Sequence, residues 1–275
     1  MMSLTAYNDI LGAYQGVEEL GDFTDEQLTL YRQQLLDRTA SQATFIAQHT
    51  PADASVIDIG TGNGRLLIAL ATQCQLHEAL GIDISESRID FARKWAQDLG
   101  LDRIRFDTAD VLTSTFPAQI DVVACITGTF AYFDAIQPNA GAQLLSQIRN
   151  ALKPGGVLIL ELYPHSSWRR MLDSTDSHEL RVWQELPEGD PWQFYLSHLR
   201  FSPNTQILTH HKTFVHRTTG EIDEGRKEHI RLYDQSTIYQ ELQTAGYRNI
   251  AIHGDWTGHA FQTDDEQLIV TARTA

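Results

Sequence analysis

Gly60, Gly62 and Gly64 stand between Ser55-Val-Ile-Asp-Ile59, a short β-branched run, and Arg65-Leu-Leu-Ile-Ala-Leu-Ala71, a run at helical density. A strand that ends on glycines and passes straight into a helix has few folds open to it. The turn aims backbone N–H groups and a helix N-terminus at the crevice beyond the strand ends, where open α/β sheets hold ligands. Glycine permits this because no Cβ keeps a ligand off the main chain.

The same rhythm repeats downstream. Glu78-Ala-Leu-Gly-Ile82 reads as a second strand, residues 86–99 as a helix stopped by Gly100, and 103–108 as a third strand. Asp121-Val-Val-Ala-Cys-Ile126 is a fourth strand. Residues 143–152 form a helix closed by Lys153-Pro-Gly-Gly156, and Val157-Leu-Ile-Leu-Glu-Leu162 is a fifth strand. Short apolar strands alternating with helices imply a parallel sheet covered on both faces, wound by right-handed crossovers. After Tyr163-Pro164 the rhythm changes. Residues 181–233 carry three or four strands without helices, with turns at Ser202-Pro-Asn204 and Thr218-Thr-Gly220. A helix from an N-cap at Ser236 to Ala245 and strands at 247–253 and 267–272 then resume the first pattern. The fold class is therefore α/β, a Rossmann-like doubly wound sheet with an inserted antiparallel β-rich segment.

Nineteen residues beyond Gly64, Asp83 ends the second strand, where a carboxylate can accept from both hydroxyls of an adenosine ribose. The dinucleotide fingerprint G-x-G-x-x-G is not met, since Arg65 stands where its third glycine belongs. Asp58 at the turn entrance suits a cationic amino group better than a pyrophosphate. A purely structural glycine turn is the alternative.

These residues resemble the class I methyltransferase family. Val56-Ile-Asp-Ile-Gly-Thr-Gly-Asn-Gly64 is similar to its glycine motif, Leu80-Gly-Ile-Asp83 to its ribose-binding strand end, and Thr108-Ala-Asp-Val111 to its adenine-side motif. Leu152-Lys-Pro-Gly-Gly156 is similar to the turn before its fifth strand, and residues 254–273 to the closing hairpin of small-molecule N- and O-methyltransferases. The resemblance implies a seven-stranded sheet with its last strand antiparallel, and S-adenosylmethionine as cofactor. By the resemblance, Gly60, Gly62 and Gly64, with Thr61 and Asn63, line the methionine and ribose part, and Asp58 holds the turn or the amino group. Asp83 takes the ribose hydroxyls and Ile84 packs on adenine. Asp110 accepts from the adenine amino group beside Val111, or else caps a helix. Ile126 and Thr127 border the cofactor after the fourth strand.

The organisation expected is an N-terminal helical cap (1–50), a cofactor-binding core (51–165 and 234–275) and the β-rich insertion (166–233), used as an acceptor lid or a homodimer interface. Tyr7 and Tyr14 are candidates to fold over the cofactor. Methyl transfer asks mainly for alignment and exclusion of water, so it obliges no residue signature. The candidates for the chemistry are Tyr132, His165 and His210, with His198 and His211 as further possible bases. Phe130, Tyr132 and Phe133 either wall the site or are plain core aromatics. His210 and His216 share a strand face, but no third ligand stands at a familiar spacing, so no metal is expected.

Charge narrows the acceptor. Lys and Arg total 21 against 36 Asp and Glu, a formal charge of −15, which repels phosphate backbones. The Asn/Asp-Pro-Pro-Tyr type of motif is missing after the fourth strand, which also argues against a nucleic-acid acceptor. A small-molecule amine, hydroxyl or carboxylate is expected, with no membrane partner. The acidic stretch from Glu18 to Glu26 reads as solvated surface. With two cysteines, no apolar leader and no apolar run beyond Leu66–Ala71, a soluble cytoplasmic protein is expected. A non-catalytic binder of the same cofactor and a nicotinamide oxidoreductase are the rival readings.

Overall fold

The computed structural model describes residues 14, 16–172, 177–225 and 227–275, without the side chains of 169–171. Tyr7 lies outside them, as does most of the chain before Gly16. Among the described residues the strands form two sheets. The larger has seven strands: β1 (Ala54–Ile59), β2 (Leu76–Asp83), β3 (Ile104–Thr108), β4 (Ile120–Cys125), β5 (Leu152–Leu162), β11 (Arg248–His253) and β12 (Leu268–Arg273). Their order across the sheet is β11-β12-β5-β4-β1-β2-β3. Strands β1 to β5 pair in parallel, whereas β12 runs antiparallel to both β5 and β11. The expected sheet, with its last strand reversed, is the one formed.

Every residue of β1 is buried, as a central parallel strand covered on both faces requires. Helices α1 (Asp25–His49), α2 (Arg65–Ala71) and α3 (Glu86–Asp98) lie over one face, where Ile46, Leu67, Ile68, Leu70 and Phe91 are 0% exposed. Each such side chain contributes about 1.5–3 kcal/mol of transfer free energy. The opposite face is closed by α4 (Ala140–Ala151) and by α6 (Gln235–Thr244), packed with the buried Leu144, Ile148, Ile238 and Leu242. Because β2 lies on one side of β1 and β4 on the other, the winding reverses between β1 and β4. That reversal opens a crevice at the strand C-termini.

The smaller sheet is antiparallel and comprises β6 (Glu179–Glu185), β7 (Trp192–Ser202), β8 (Ile207–His216), β9 (Ile222–Asp223) and β10 (Lys227–Arg231). Its order is β10-β8-β7-β6, with β9 paired to β8. It joins the core through α5 (His165–Leu172) and through the bridge between Pro164 and Tyr233.

Several local expectations change. Lys153-Pro-Gly-Gly156 is not a separate turn but an irregular stretch of β5, where pairing jumps from Ile120–Leu152 to Val122–Val157 around Gly155 at φ +77. Asp234, not Ser236, is the N-cap residue of α6. Helix α5 forms where no helix was expected. Among the described residues before β1 the longest element is α1, 25 residues long and started by a full capping box in which Thr24 and Gln27 exchange side-chain-to-backbone hydrogen bonds. None of the described helices is long and apolar enough to cross a membrane.

Candidate active site

At the crevice lies a cavity of about 410 Å³, bordered by the ends of β1 to β4 and roofed by the N-terminal segment. That volume suits a cofactor-sized ligand.

The glycine turn forms one wall, but its three glycines do different work. Gly60 and Thr61 donate their N–H groups to the Ile82 carbonyl, at 2.8 and 3.0 Å, which ties the turn to β2. Gly60, Thr61 and Asn63 border the cavity, whereas Gly62 and Gly64 lie behind it. Gly64 has φ +77, and a Cβ there would sit 2.6 Å from Cζ of Phe106. Its role is thus to bring α2 close to the sheet.

Asp83 is 9% exposed and accepts from Gly62 N–H at 2.8 Å and Ser85 N–H at 2.9 Å, one bond to each oxygen. Each oxygen keeps a lone pair for the cavity, which Asp83, Ile84, Asp110 and Val111 all border. Asp110 borders the same cavity. One carboxylate oxygen accepts from Leu112 N–H at 2.9 Å, closing a turn rather than a helix, while the residue still faces the cavity.

Asp58 and Arg65 occupy the other end. Burial pushes the Asp58 carboxyl up to about 7; the charge of Asp83 acts in the same direction, and the nearby Thr61 hydroxyl and the charge of Arg65 oppose it. Asp58 Oδ1 and Thr61 Oγ1 are nevertheless buried without a hydrogen bond of good geometry among the described residues. Arg65 donates to Thr39 Oγ1 at 2.8 Å and to Thr127 Oγ1 at 2.9 Å. Burial pushes its guanidinium pKa down, while Asp58 and Glu161 support the charged form. A carboxyl group with an unused oxygen beside a guanidinium complements the ammonium and carboxylate of an α-amino acid. Arg65, noticed in the sequence only as a departure from a glycine pattern, is thus a residue of the cavity wall.

The N-terminal roof overturns one expectation. Glu19, Asp22, Asp25 and Glu26 are exposed, but the Glu18 side chain is only 7% exposed. It accepts from Arg88 Nε at 2.8 Å, from Asn63 Nδ2 at 2.6 Å and from the Tyr31 hydroxyl. Those three donors offset the cost of taking a carboxylate out of water. Burial, reinforced by Glu18, pushes the Tyr31 phenol up to about 12. Tyr14 joins this roof through Ser85, whose hydroxyl donates to the Tyr14 carbonyl at 2.9 Å, and its ring lies 5.5 Å from the Arg88 guanidinium. A charge run gives no hint that one of its members turns inward. The capping box at Thr24 is the one sequence signal able to locate the helix that carries Tyr31 and Arg38.

After β4, Ile126, Thr127, Tyr132 and Phe133 border the cavity, and Phe130, 0% exposed, is a core residue. The Tyr132 and Tyr14 hydroxyls are 2.9 Å apart, and burial holds the Tyr132 phenol far above its ordinary 10. Neither His165 nor His210 borders the cavity. His165 Nδ1 faces Asp234 at 3.4 Å. His210 Nε2 meets Ser197 Oγ at 2.7 Å and Tyr195 Oη at 3.1 Å. Burial and the charge of Lys212 push its imidazole down to about 4, against the pull of Glu228. His198 pairs with Glu179 and His211 with the Glu224 carbonyl, both within the smaller sheet. His216 Nδ1 accepts from Thr218 and Thr219 N–H groups.

Comparison with known proteins gives the same architecture. A family described as methyltransferase domain matches residues 51–243. The trans-aconitate 2-methyltransferase of Acidovorax ebreus is 25% identical over 170 residues, 62% of this chain and 58% of that protein. The ribosomal RNA small subunit methyltransferase G of Acidothermus cellulolyticus is 27% identical over 175 residues, 64% of this chain and 65% of that protein. Both alignments thus span less than two thirds of the relative. The solved structure of CalS10 with bound S-adenosylmethionine, an amino pentose methyltransferase from Micromonospora echinaspora, superimposes with a TM-score of 0.63 at 17% identity. That match covers 92% of this chain and 98% of the other, and shows a shared fold.

Proposed function

Since the chain belongs to the methyltransferase-domain family, we propose that it transfers the methyl group of S-adenosylmethionine to a small-molecule acceptor. The observation that carries this reading is the polar order along one cavity, from Asp58 and Arg65 through Asp83 to Asp110. Asp58 and Arg65 take the ammonium and carboxylate of the methionine end, and Asp58 Oδ1, which has no partner in the empty site, gains one there. Asp83 accepts from the ribose hydroxyls, Ile84 and Val111 flank adenine, and Asp110 accepts from its amino group.

When bound, the cofactor supplies an electrophilic methyl on a sulfonium and a neutral thioether as leaving group. The chain's own residues align and seal. The roof formed by Tyr14, Glu18 and Tyr31 excludes water, which strengthens every charge interaction inside. Tyr14 and Tyr132 bound the place where an acceptor approaches, and their hydroxyls orient it. Tyr132 stays a neutral donor, because burial holds its proton. His165 and His210 lie away from the cavity, and its carboxyl groups are engaged, Asp58, Asp83 and Asp110 by the cofactor and Glu18 by Arg88, Asn63 and Tyr31. The acceptor therefore brings its own free lone pair, as an unprotonated amine or an anionic oxygen does.

An amine is the favoured acceptor, by likeness to the amino pentose enzyme, and a small metabolite by likeness to the trans-aconitate enzyme. The −15 charge favours both over RNA. Residues 166–233 serve as the acceptor lid, and the charge of Glu228 on β10 reaches both Tyr132 and Tyr163. The test is incubation with methyl-labelled cofactor and a panel of amino sugars, other amines and carboxylic acids. Label in one of these acceptors, matched by S-adenosylhomocysteine formed, is expected. Label only in ribosomal RNA would reject the small-molecule reading.

A further inference from the structure

Glu161, near the C-terminal end of β5, is a half-buried carboxylate that does not itself border the cavity. One oxygen accepts from Thr127 N–H at 2.6 Å and from Gln42 Nε2 at 3.4 Å, and the other from Gln267 Nε2 at 3.2 Å. Burial pushes its pKa up, while the Thr127 N–H and the charge of Arg65 favour its ionised form. Three parts of the chain that are distant in sequence thus converge on a single carboxylate.

The backbone it holds is unusual. Thr127 has φ +56 and Gly128 φ +72, and Thr129 N–H closes the turn on the Ile126 carbonyl at 3.3 Å. Left-handed φ at both central residues is the type I′ pattern, which favours Asn, Asp or Gly at its first position. A β-branched threonine there is a true outlier and needs something to hold it. Gly128 packs close against Tyr163, where a Cβ would lie 2.1 Å from the ring, so the second position of the turn is held to glycine. Across a trans peptide the Thr127 N–H and the Ile126 carbonyl point in opposite directions. Glu161 grips the N–H, so the carbonyl is turned away from Glu161. The same threonine offers Oγ1 to Arg65.

We infer that Glu161 is a positioning residue: it holds the 126–129 turn in its left-handed form, and so keeps the Thr127–Arg65 contact at the amino-acid end of the cofactor. The identity of that ligand rests on the function proposed above, whereas the hold on the turn does not. Loss of the carboxylate frees Thr127 to relax to negative φ. The turn then reorganises, and Arg65 loses the oxygen that fixes it.

Two readouts separate these parts. Hydrogen exchange of the Thr127 amide in the ligand-free protein reads the turn, and calorimetric titration with S-adenosylhomocysteine reads the site. Glu161→Gln, nearly isosteric, is expected to speed Thr127 exchange by about tenfold or more and to weaken binding by about tenfold. Thr127→Gly makes positive φ free of steric cost. In the Glu161→Gln background it should bring the affinity back to within about threefold of Thr127→Gly alone. General loosening of the core would not be repaired by a glycine. Unchanged exchange and affinity in Glu161→Gln would overturn the inference, as would a weakened variant that Thr127→Gly fails to rescue. If wild type binds no S-adenosylhomocysteine while Thr127 exchange responds to Glu161→Gln, the hold on the turn stands and the proposed ligand falls.

Discussion

Replacing Asp58 by Asn should stabilise the ligand-free protein above neutral pH while weakening its hold on the cofactor. Burial raises the Asp58 carboxyl from 3.8 to about 7 in the folded state. Below pH about 4 the group is neutral in both folded and unfolded chains and costs nothing. As pH rises from 4 towards 7 the unfolded chain ionises first, so folded stability falls, and above 7 the full penalty remains. A difference of about 3 pH units at 1.36 kcal/mol each is about 4 kcal/mol, an upper bound on what the carboxylate costs the empty site. Asn has nearly the same shape and carries no such penalty. Urea unfolding of the ligand-free variant should therefore show a gain of about 1–4 kcal/mol at pH 8 and almost none at pH 4. Calorimetry should show S-adenosylmethionine binding weakened by about 10- to 100-fold, as the ammonium loses its counter-charge. A variant less stable than wild type at pH 8, with wild-type pH dependence, would refute the reasoning. It would mean that Arg65 fully compensates the carboxylate and that the empty site stores no charge penalty.

The same geometry predicts three further outcomes. Glu18→Gln removes the charge that Arg88, Asn63 and Tyr31 share, so thermal unfolding should show a loss of about 1–3 kcal/mol and cofactor affinity should fall; unchanged values would return Glu18 to the solvated surface. Gly64→Ala places a Cβ against Phe106 at a positive φ. It should cost about 2–4 kcal/mol in chemical denaturation, the sum of strain and overpacking. His210→Ala should lower turnover of the identified acceptor by less than about tenfold, because loss of a general base costs about 10²–10⁴-fold; a loss in that larger range, with an altered pH profile, would put His210 in the chemistry.

Periodicity and backbone constraint made the first half of the large sheet legible in the sequence. Strand β1, the glycine turn and helix α2 are dictated by residues close together in the chain, and α2 spans Arg65–Ala71 as its composition suggests. The reversed β12 came from likeness to a family, since nothing local tells a strand which way its neighbours run. A helical cap was expected before residue 50, but the bounds of helix α1 were not legible, because its buried residues, among them Leu35, Thr39, Gln42 and Phe45, include two polar ones that serve the site. Thr39 receives Arg65 and Gln42 reaches Glu161, so those polar residues sit where an apolar stripe would have advertised the helix. Glu18 and Glu161 were illegible for a related reason. A carboxylate's burial depends on donors brought from 45 and 70 residues away for Glu18, and from 34 and 119 for Glu161. The histidines offered themselves as bases, yet His210 and His198 are satisfied within the smaller sheet: His210 with Ser197 and Tyr195, His198 with Glu179.

The most direct test of the account is calorimetric titration of the purified protein with S-adenosylmethionine at pH 6 and pH 8 in buffers of differing ionisation enthalpy. The account predicts micromolar binding at pH 8, weaker binding at pH 6 where Asp58 is protonated in the empty site, and proton release on binding at the lower pH. An absence of binding at both pH values, or an affinity that does not change between them with no proton released, would contradict it.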